Sequence, residues 1–322
     1  MCSSFGDPAM LRIFLRRLLI LVPTALFGSI LIFALVQVIP GGAAETIAGD
    51  DSSPETIARI RAQLGLDRPL HEQYVQWLTD ALQGDFGRSL LDNRQIGADI
   101  AERLPHTLEL AITALVIALL IGIPLGIASA IYRRSVLEGA ITSLSGLALA
   151  VPEFWMAMVS INLFAIKLAW FPATGLEPWS AGWDNHINSM VMPALTLSSG
   201  AAAVVTRFTR SGMIGALDSH YIRTARSVGL SPARIYLQFA FKNALVPVVT
   251  VVGIVAGSLI GGAVLVEQVF VIPGLGAMLV NGVLQKDYPT VQSVALVLTI
   301  AVILINLIVD MACLVLDPRT RN

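Results

Sequence analysis

Along this chain, apolar stretches long enough to cross a hydrocarbon core alternate with short polar connections. No Asp, Glu, Lys or Arg occurs over 18–44, 110–132, 187–206, 243–266 or 290–309, and each run is near or above the roughly 20 residues a spanning helix needs. A further stretch, 139–166, is interrupted only by Glu153. Lipid offers no partner for a backbone amide, and these windows are about twice the length of a barrel strand. The pattern therefore predicts an all-α polytopic membrane protein with six transmembrane helices. The expected organisation is a polar N-terminus at 1–17, helix 1 at 18–40, a polar helical segment at 41–104, and helices 2–6 within 105–322. MCSSFGDPA reads as a leader, with Met10 opening the working part. The run after Arg17 is too long for a signal-peptide core and lacks a clear small-residue cleavage site, so it stays as helix 1.

Charge assigns the sides. Only 13% of residues are charged, against about 25% in soluble domains, so the chain lacks the polar surface to cover a soluble fold. Arg12, Arg16, Arg17, Arg133, Arg134, Arg207, Arg210, Arg223, Arg226, Arg234, Lys242, Arg319 and Arg321 fall on one side of the predicted topology. By the positive-inside bias that side is cytoplasmic and holds both termini. The 41–104 segment, with eleven acidic and six basic residues, falls outside. Cys2 and Cys313 both lie in the cytoplasmic half, and no disulfide is expected.

The outer segment carries helix signals of its own. Ser53-Pro54-Glu55 reads as a helix start, with Ile57, Ile60 and Leu64 on one face and Gly65 as the stop. Leu70, Tyr74, Trp77, Leu78 and Leu82 then recur at helical spacing before Gly84. An amphipathic hairpin follows, packed on itself or on the membrane mouth. It serves either as a small cap or as a docking surface.

The most distinctive polar stretch is 218–247. Asp218 or Ser219 can cap a short helix with Tyr221, Ala225 and Val228 on one face and Arg223 and Arg226 on another. Gly229 supplies a left-handed stop. Ser231 followed by Pro232 restarts a helix that passes Ile235 and Phe239 and enters the membrane until Pro247 disturbs it. Helix, glycine turn, helix and membrane span form a lever able to transmit force from a soluble partner. An ordinary solvated loop is the plainer reading of the same residues.

At these residues YIRTARSVGLSPARI and KNALVPVV resemble the cytoplasmic coupling loop of ABC importer permeases of the dipeptide, oligopeptide and nickel class. LGLDRPLHEQYVQWL, GDFGRSL, RLPHTLELA, IGIPLGI, VPEFW, VFVIPGLGAMLVNGVLQKDYP and LDPRTR resemble the same type, so the likeness runs from Met10 onward. The loop has Arg223-Thr224-Ala225 where the general importer loop has Glu-Ala-Ala. The resemblance implies a bacterial inner-membrane assembly of this subunit, a second similar permease, two ATP-binding subunits and an extracytoplasmic solute-binding protein. It implies a peptide or similar small solute as cargo, with glutathione or nickel as alternatives, and no cofactor or nucleic acid. The coupling positions are Asp218, Tyr221, Arg223, Ala225, Arg226, Gly229, Ser231 and Pro232.

The remaining residues bear on this expectation. A phosphate-binding loop needs Gly-Lys-Ser or Gly-Lys-Thr, but Lys167, Lys242 and Lys286 are the only lysines and none follows a glycine. ATP hydrolysis therefore belongs to partners. Glu153, beside Pro152, falls near the middle of helix 3, where a charge costs about 2.5 to 3.5 kcal/mol on insertion scales unless it meets water or a partner. Pro152 and Glu153 are candidates to line the passage; a hydrogen-bonded packing carboxyl is the alternative. Glu109, Glu267 and Asp310 read as interfacial. His71, His106, His186 and His220 lack metal-ligand spacing. Gly253, Ala256, Gly257, Gly261 and Gly262 read as a packing or sliding face. Pro273-Gly274-Leu275-Gly276 reads as a turn into a short re-entrant helix. No paired carboxylates, nucleophile elbow or HExxH pattern supports an intramembrane enzyme. The alternative class is an ion-coupled secondary transporter with Glu153, Glu109 and Asp310 as relay, which would have no use for the 218–247 lever.

Overall fold

The computed structural model of the chain describes residues 8–38, 48, 53–63 and 67–316. The expected leader up to Asp7, the stop at Gly65, and Leu64, Cys2, Arg319 and Arg321 lie outside them. In order, the helices are α1 (Pro8–Val38), α2 (Pro54–Gln63), α3 (Leu70–Leu82), α4 (Ile96–Ile131), α5 (Val136–Ala150), α6 (Glu153–Ser160), α7 (Trp183–Leu217), α8 (His220–Ser227), α9 (Pro232–Arg234), α10 (Phe241–Phe270), α11 (Leu275–Leu284) and α12 (Tyr288–Leu316). Wider π-type turns extend α6 through Ile161–Lys167 and join α9 to α10 through Ile235–Ala240.

Among the described residues, five helices are long and apolar enough to cross a membrane, and a sixth crossing arises if α5 and α6 count as one bent span. They outrun their charge-free windows. The 36 residues of α4 make a rod of roughly 54 Å that begins at Ile96, inside the segment expected to precede the core. Its buried face, Ile96, Ile100, Thr107, Leu110, Ala111 and Ala114, runs unbroken through Asp99, Glu102 and Arg103. Those charges do not end the helix.

The third expected span departs from a straight helix. Val151 is extended (φ −83°, ψ 124°) and Pro152 caps the next helix, leaving α5 and the α6 unit bent by 101°. The ring of Pro152 disfavours the helical conformation at the residue before it. Pro247 behaves differently from expectation: α10 continues through it to Phe270.

The core lies where α4, α7 and α10 pack together. Ala114 and Ala118 of α4, Leu197 and Val205 of α7, and Leu259, Ile260 and Ala263 of α10 are buried in one cluster. The IGIPLGI stretch brings α4 against α7. A Cβ at Gly122 would lie 2.8 Å from the Ala202 carbonyl oxygen, and one at Gly126 would lie 2.5 Å from Thr209 Cβ. Small residues bring helices this close where lipid removes any hydrophobic drive between them.

The outer elements pack onto this frame. α3 lies on α1: the rings of Tyr74 and Trp77 lie 5.5 and 5.9 Å from that of Phe33, and Tyr74 shares a 2.9 Å hydrogen bond with Ser29. Residues 88–95 form a tight hairpin in which Asp92 accepts from the Arg94 backbone and guanidinium. These bonds, the backbone one foremost, hold the Asp92 carboxyl below its ordinary range. Asp287, in the turn before α12, accepts from Leu90 N at 3.1 Å, and Ser293 donates to the Phe86 carbonyl. The GDFGRSL and QKDYP stretches thus meet at one end of the bundle.

Candidate functional site

The 218–247 segment sits at the opposite end, and its turn is built by local chemistry. Gly229 has φ +79°, a conformation that glycine adopts without steric cost. Its N–H donates to Arg226 O, and that of Leu230 donates to Ala225 O at 3.2 Å. This pair of bonds satisfies the last carbonyls of α8. Pro232 then occupies the first turn of α9, where its missing N–H costs nothing.

One face of this element is fixed to the bundle. Ile222 is fully buried with Ala225 and Ile235, against Ala130 of α4, Met213 and Ala216 of α7, and Ala240 and Ala244 near the start of α10. The expected face of Tyr221, Ala225 and Val228 is therefore corrected: only Ala225 is buried, while Tyr221 and Val228 are exposed, Val228 at 75%. Ile222 supplies the missing anchor, and the Ile222/Ala225 spacing was the sequence signal for it. The outward face carries Tyr221, Arg223, Arg226 and Val228 around an exposed turn of Gly229, Ser231 and Pro232. Arg223 and Arg226 have no ion pair among the described residues. Asp218 serves the base instead, pairing with Arg133 at 3.2 Å and so tying the α4–α5 turn to α7. A second pair, Arg210 with Glu138, braces the same turn. A cavity of about 170 Å³ lies beside the Arg133–Asp218 pair, lined also by Ala130, Leu217, Arg226 and Tyr236.

Glu153 is not in mid-helix. It opens α6 directly after the bend, where a carboxylate suits the positive end of the helix. It is half-buried and Pro152 is exposed. The Glu153 carboxylate rests on α10, so close that a Cβ at Gly262 would lie 2.6 Å from Oε2 and 3.0 Å from Leu197 Cδ1. The glycines of α10 thus divide. Gly253 abuts Val309 and Gly257 lies beside Asn306, Gly262 receives Glu153, and Gly261 faces open space.

Of two carboxylates expected at the interface, Glu109 is partly buried and paired, and Glu267 is inside the protein. Glu109 meets His186 Nε2 at 2.8 Å, while His186 Nδ1 faces the Glu177 carbonyl and its ring stacks on Trp179 at 3.8 Å. Glu267 is fully buried beneath α11. The Glu109 partner lies 77 residues away, and Glu267 meets the next helix only because the chain doubles back after α10.

The comparisons with known proteins agree with this architecture. Residues 122–322 match the family described as binding-protein-dependent transport system inner membrane component, and 10–111 match the corresponding N-terminal family. A putative peptide transport system permease protein of Brucella abortus is 41% identical over 312 residues, covering 97% of this chain and 99% of the relative. A glutathione transport system permease protein of Salmonella typhimurium is 39% identical over the same length. Among solved structures, an inward-facing MetNI methionine ABC transporter aligns over 68% of this chain and 96% of that chain, with a TM-score of 0.58 and 17% identity. That likeness concerns the fold.

Proposed function

Because this chain belongs to the binding-protein-dependent transport system inner membrane components, we propose that it is the pathway-forming permease subunit of an ATP-driven importer for peptides or peptide-like solutes. It works with a second, similar permease, two ATP-hydrolysing subunits and an extracytoplasmic solute-binding protein. The observation that carries this reading is the two-sided 218–247 element. One face is anchored by Ile222, Ala225 and Ile235, and the other presents Tyr221, Arg223, Arg226 and Val228. Tyrosine and arginine, here Tyr221, Arg223 and Arg226, are among the types that dominate protein interfaces. Its buried side joins the ends of α4, α7 and α10, so a push on it reaches three packed helices at once. Cytoplasmic termini and an inner-membrane setting follow from the same docking. Peptide cargo is supported by the relatives, one a putative peptide and the other a glutathione transport system permease protein.

Two of the three carboxylates of the ion-coupled alternative have packing roles, Glu109 with His186 and Glu153 against Gly262. The test is reconstitution of this chain with its partners in liposomes and measurement of radiolabelled glutathione and dialanine entry. Entry that needs both ATP and the binding protein is expected. Entry driven by a proton gradient without ATP would overturn the reading.

A further inference from the structure

The two ends of α10 differ in kind. Its first turns belong to the cluster under α8, with Ala240 and Ala244 against Ile222, Ala225 and Ile235. Its 30 residues then run roughly 45 Å to the other end of the bundle, where Glu267 is fully buried. There the chain doubles back through Val271, at φ +54°, and enters α11. The Glu267 carboxylate lies under the start of that helix. Oε2 accepts from Ala277 N at 3.1 Å, while Oε1 is buried with no protein partner among the described residues. Thr107 of α4, itself buried, accepts from Leu275 N at 2.8 Å. Gly274 and Gly276 make room for this arrangement. A Cβ at Gly274 would lie 2.2 to 2.4 Å from three carboxyl atoms of Glu267, and one at Gly276 would lie 2.4 Å from Val264 Cα.

A carboxylate in the first turn of a neighbouring helix meets free N–H groups and the positive end of the helix dipole. Here it joins two helices that would otherwise be held by apolar contact. A buried hydrogen bond adds to the packing between membrane helices a restraint with a fixed direction, which apolar contact lacks. We infer that Glu267 is a positioning residue for transport: it locks α11 to α10, so that displacement of α10 at the 218–247 end is delivered to α11 at the far end. Apolar packing alone would let α11 lag. This inference rests on the reading of 218–247 as the docking element.

The test follows the two helices directly, in the complete complex in lipid nanodiscs. Spin labels go on Ile254 of α10 and Val283 of α11, both exposed. The wild-type distance distribution should be narrow and unchanged when ATP is trapped. In Glu267→Leu, which has no acceptor for Ala277 N, it should broaden or shift on trapping, and solute moved per ATP hydrolysed should fall about tenfold, the effect of a 1.4 kcal/mol change. A purely structural role would lower yield or melting temperature and leave the distribution and the ratio unchanged. That result overturns the inference. If Glu267→Leu fails to assemble, Gly274→Ala decides, because the backbone there (φ −100°) accepts any residue and the atoms nearest the added methyl are all of Glu267. Its distribution should broaden, and adding Glu267→Asp, one methylene shorter, should narrow it again. Absence of that rescue overturns the inference. The distance readout needs no cargo, so failure of wild-type uptake would count against the proposed function alone.

Discussion

Glu153 and Gly262 meet across the bend between α5 and α6, with the carboxylate seated where a side chain on α10 would stand. One glycine thereby admits a charged group to the contact between α6, α7 and α10. Glu153→Gln keeps the shape of this seat and removes the charge. In the proposed passage role, uptake falls about tenfold while ATP hydrolysis by the partners changes less, since charge in a low-dielectric passage is worth more than 1 kcal/mol. Wild-type uptake by the Gln variant would assign Glu153 to packing.

Gly262→Ala tests the same seat from the other side. Its methyl would crowd Glu153 Oε2 and Leu197 Cδ1, so the complex should lose about 1 to 3 kcal/mol of stability. Thermal unfolding in detergent measures this. Combination with Glu153→Ala should recover most of the loss, because the tighter of the two contacts, that with Oε2, is then gone. An equal loss in the double variant would show that another neighbour sets the spacing.

At Gly229 the backbone alone imposes the constraint, for nothing lies within 4 Å of the place where a Cβ would stand. Gly229→Asn should therefore retain docking, while Gly229→Val, a β-branched residue at positive φ, should lower recovery of the ATP-hydrolysing subunits about tenfold on co-purification. Membrane insertion should persist in both. Equal recovery with Val would show that the turn is not read by a partner.

Cysteines at Leu91 and Ser135 flank α4, and both sites are exposed. With Cys2 and Cys313 replaced, an impermeant thiol reagent applied to spheroplasts should label the first and spare the second, in keeping with the positive-inside bias. Labelling of Ser135→Cys alone would invert the topology.

The His186 cluster makes a prediction about stability. His186→Ala strands the Glu109 carboxylate and removes the ring from Trp179 and the Glu177 carbonyl. A loss of about 2 to 4 kcal/mol is expected, the scale of a buried polar network broken on one side. Differential scanning fluorimetry of the solubilised complex checks it. A shift no larger than that of a surface substitution would mean that the ring is not holding the 170–182 loop.

What could be read from the chain itself was what depends on neighbours in sequence. Spanning helices follow from composition within a window, and the Gly229 turn and the Ser231-Pro232 restart follow from residues adjacent to one another. Even the α5–α6 bend was present locally, in Val151-Pro152, but the apolar run across it concealed the break. What only the tertiary structure decided are the pairings across distance. Glu109 meets His186 from 77 residues away, Leu90 meets Asp287 from 197, and Glu267 is claimed by α11 and Glu153 by Gly262. Hydrophobic periodicity says which side of a helix avoids water, but in a membrane lipid and protein are equally apolar, so the pattern cannot distinguish a lipid-facing stripe from a buried one. Which helix packs against which is set by glycine-sized gaps and by the polar groups that must find partners inside. Those choices appear only once α4, α7 and α10 are brought together.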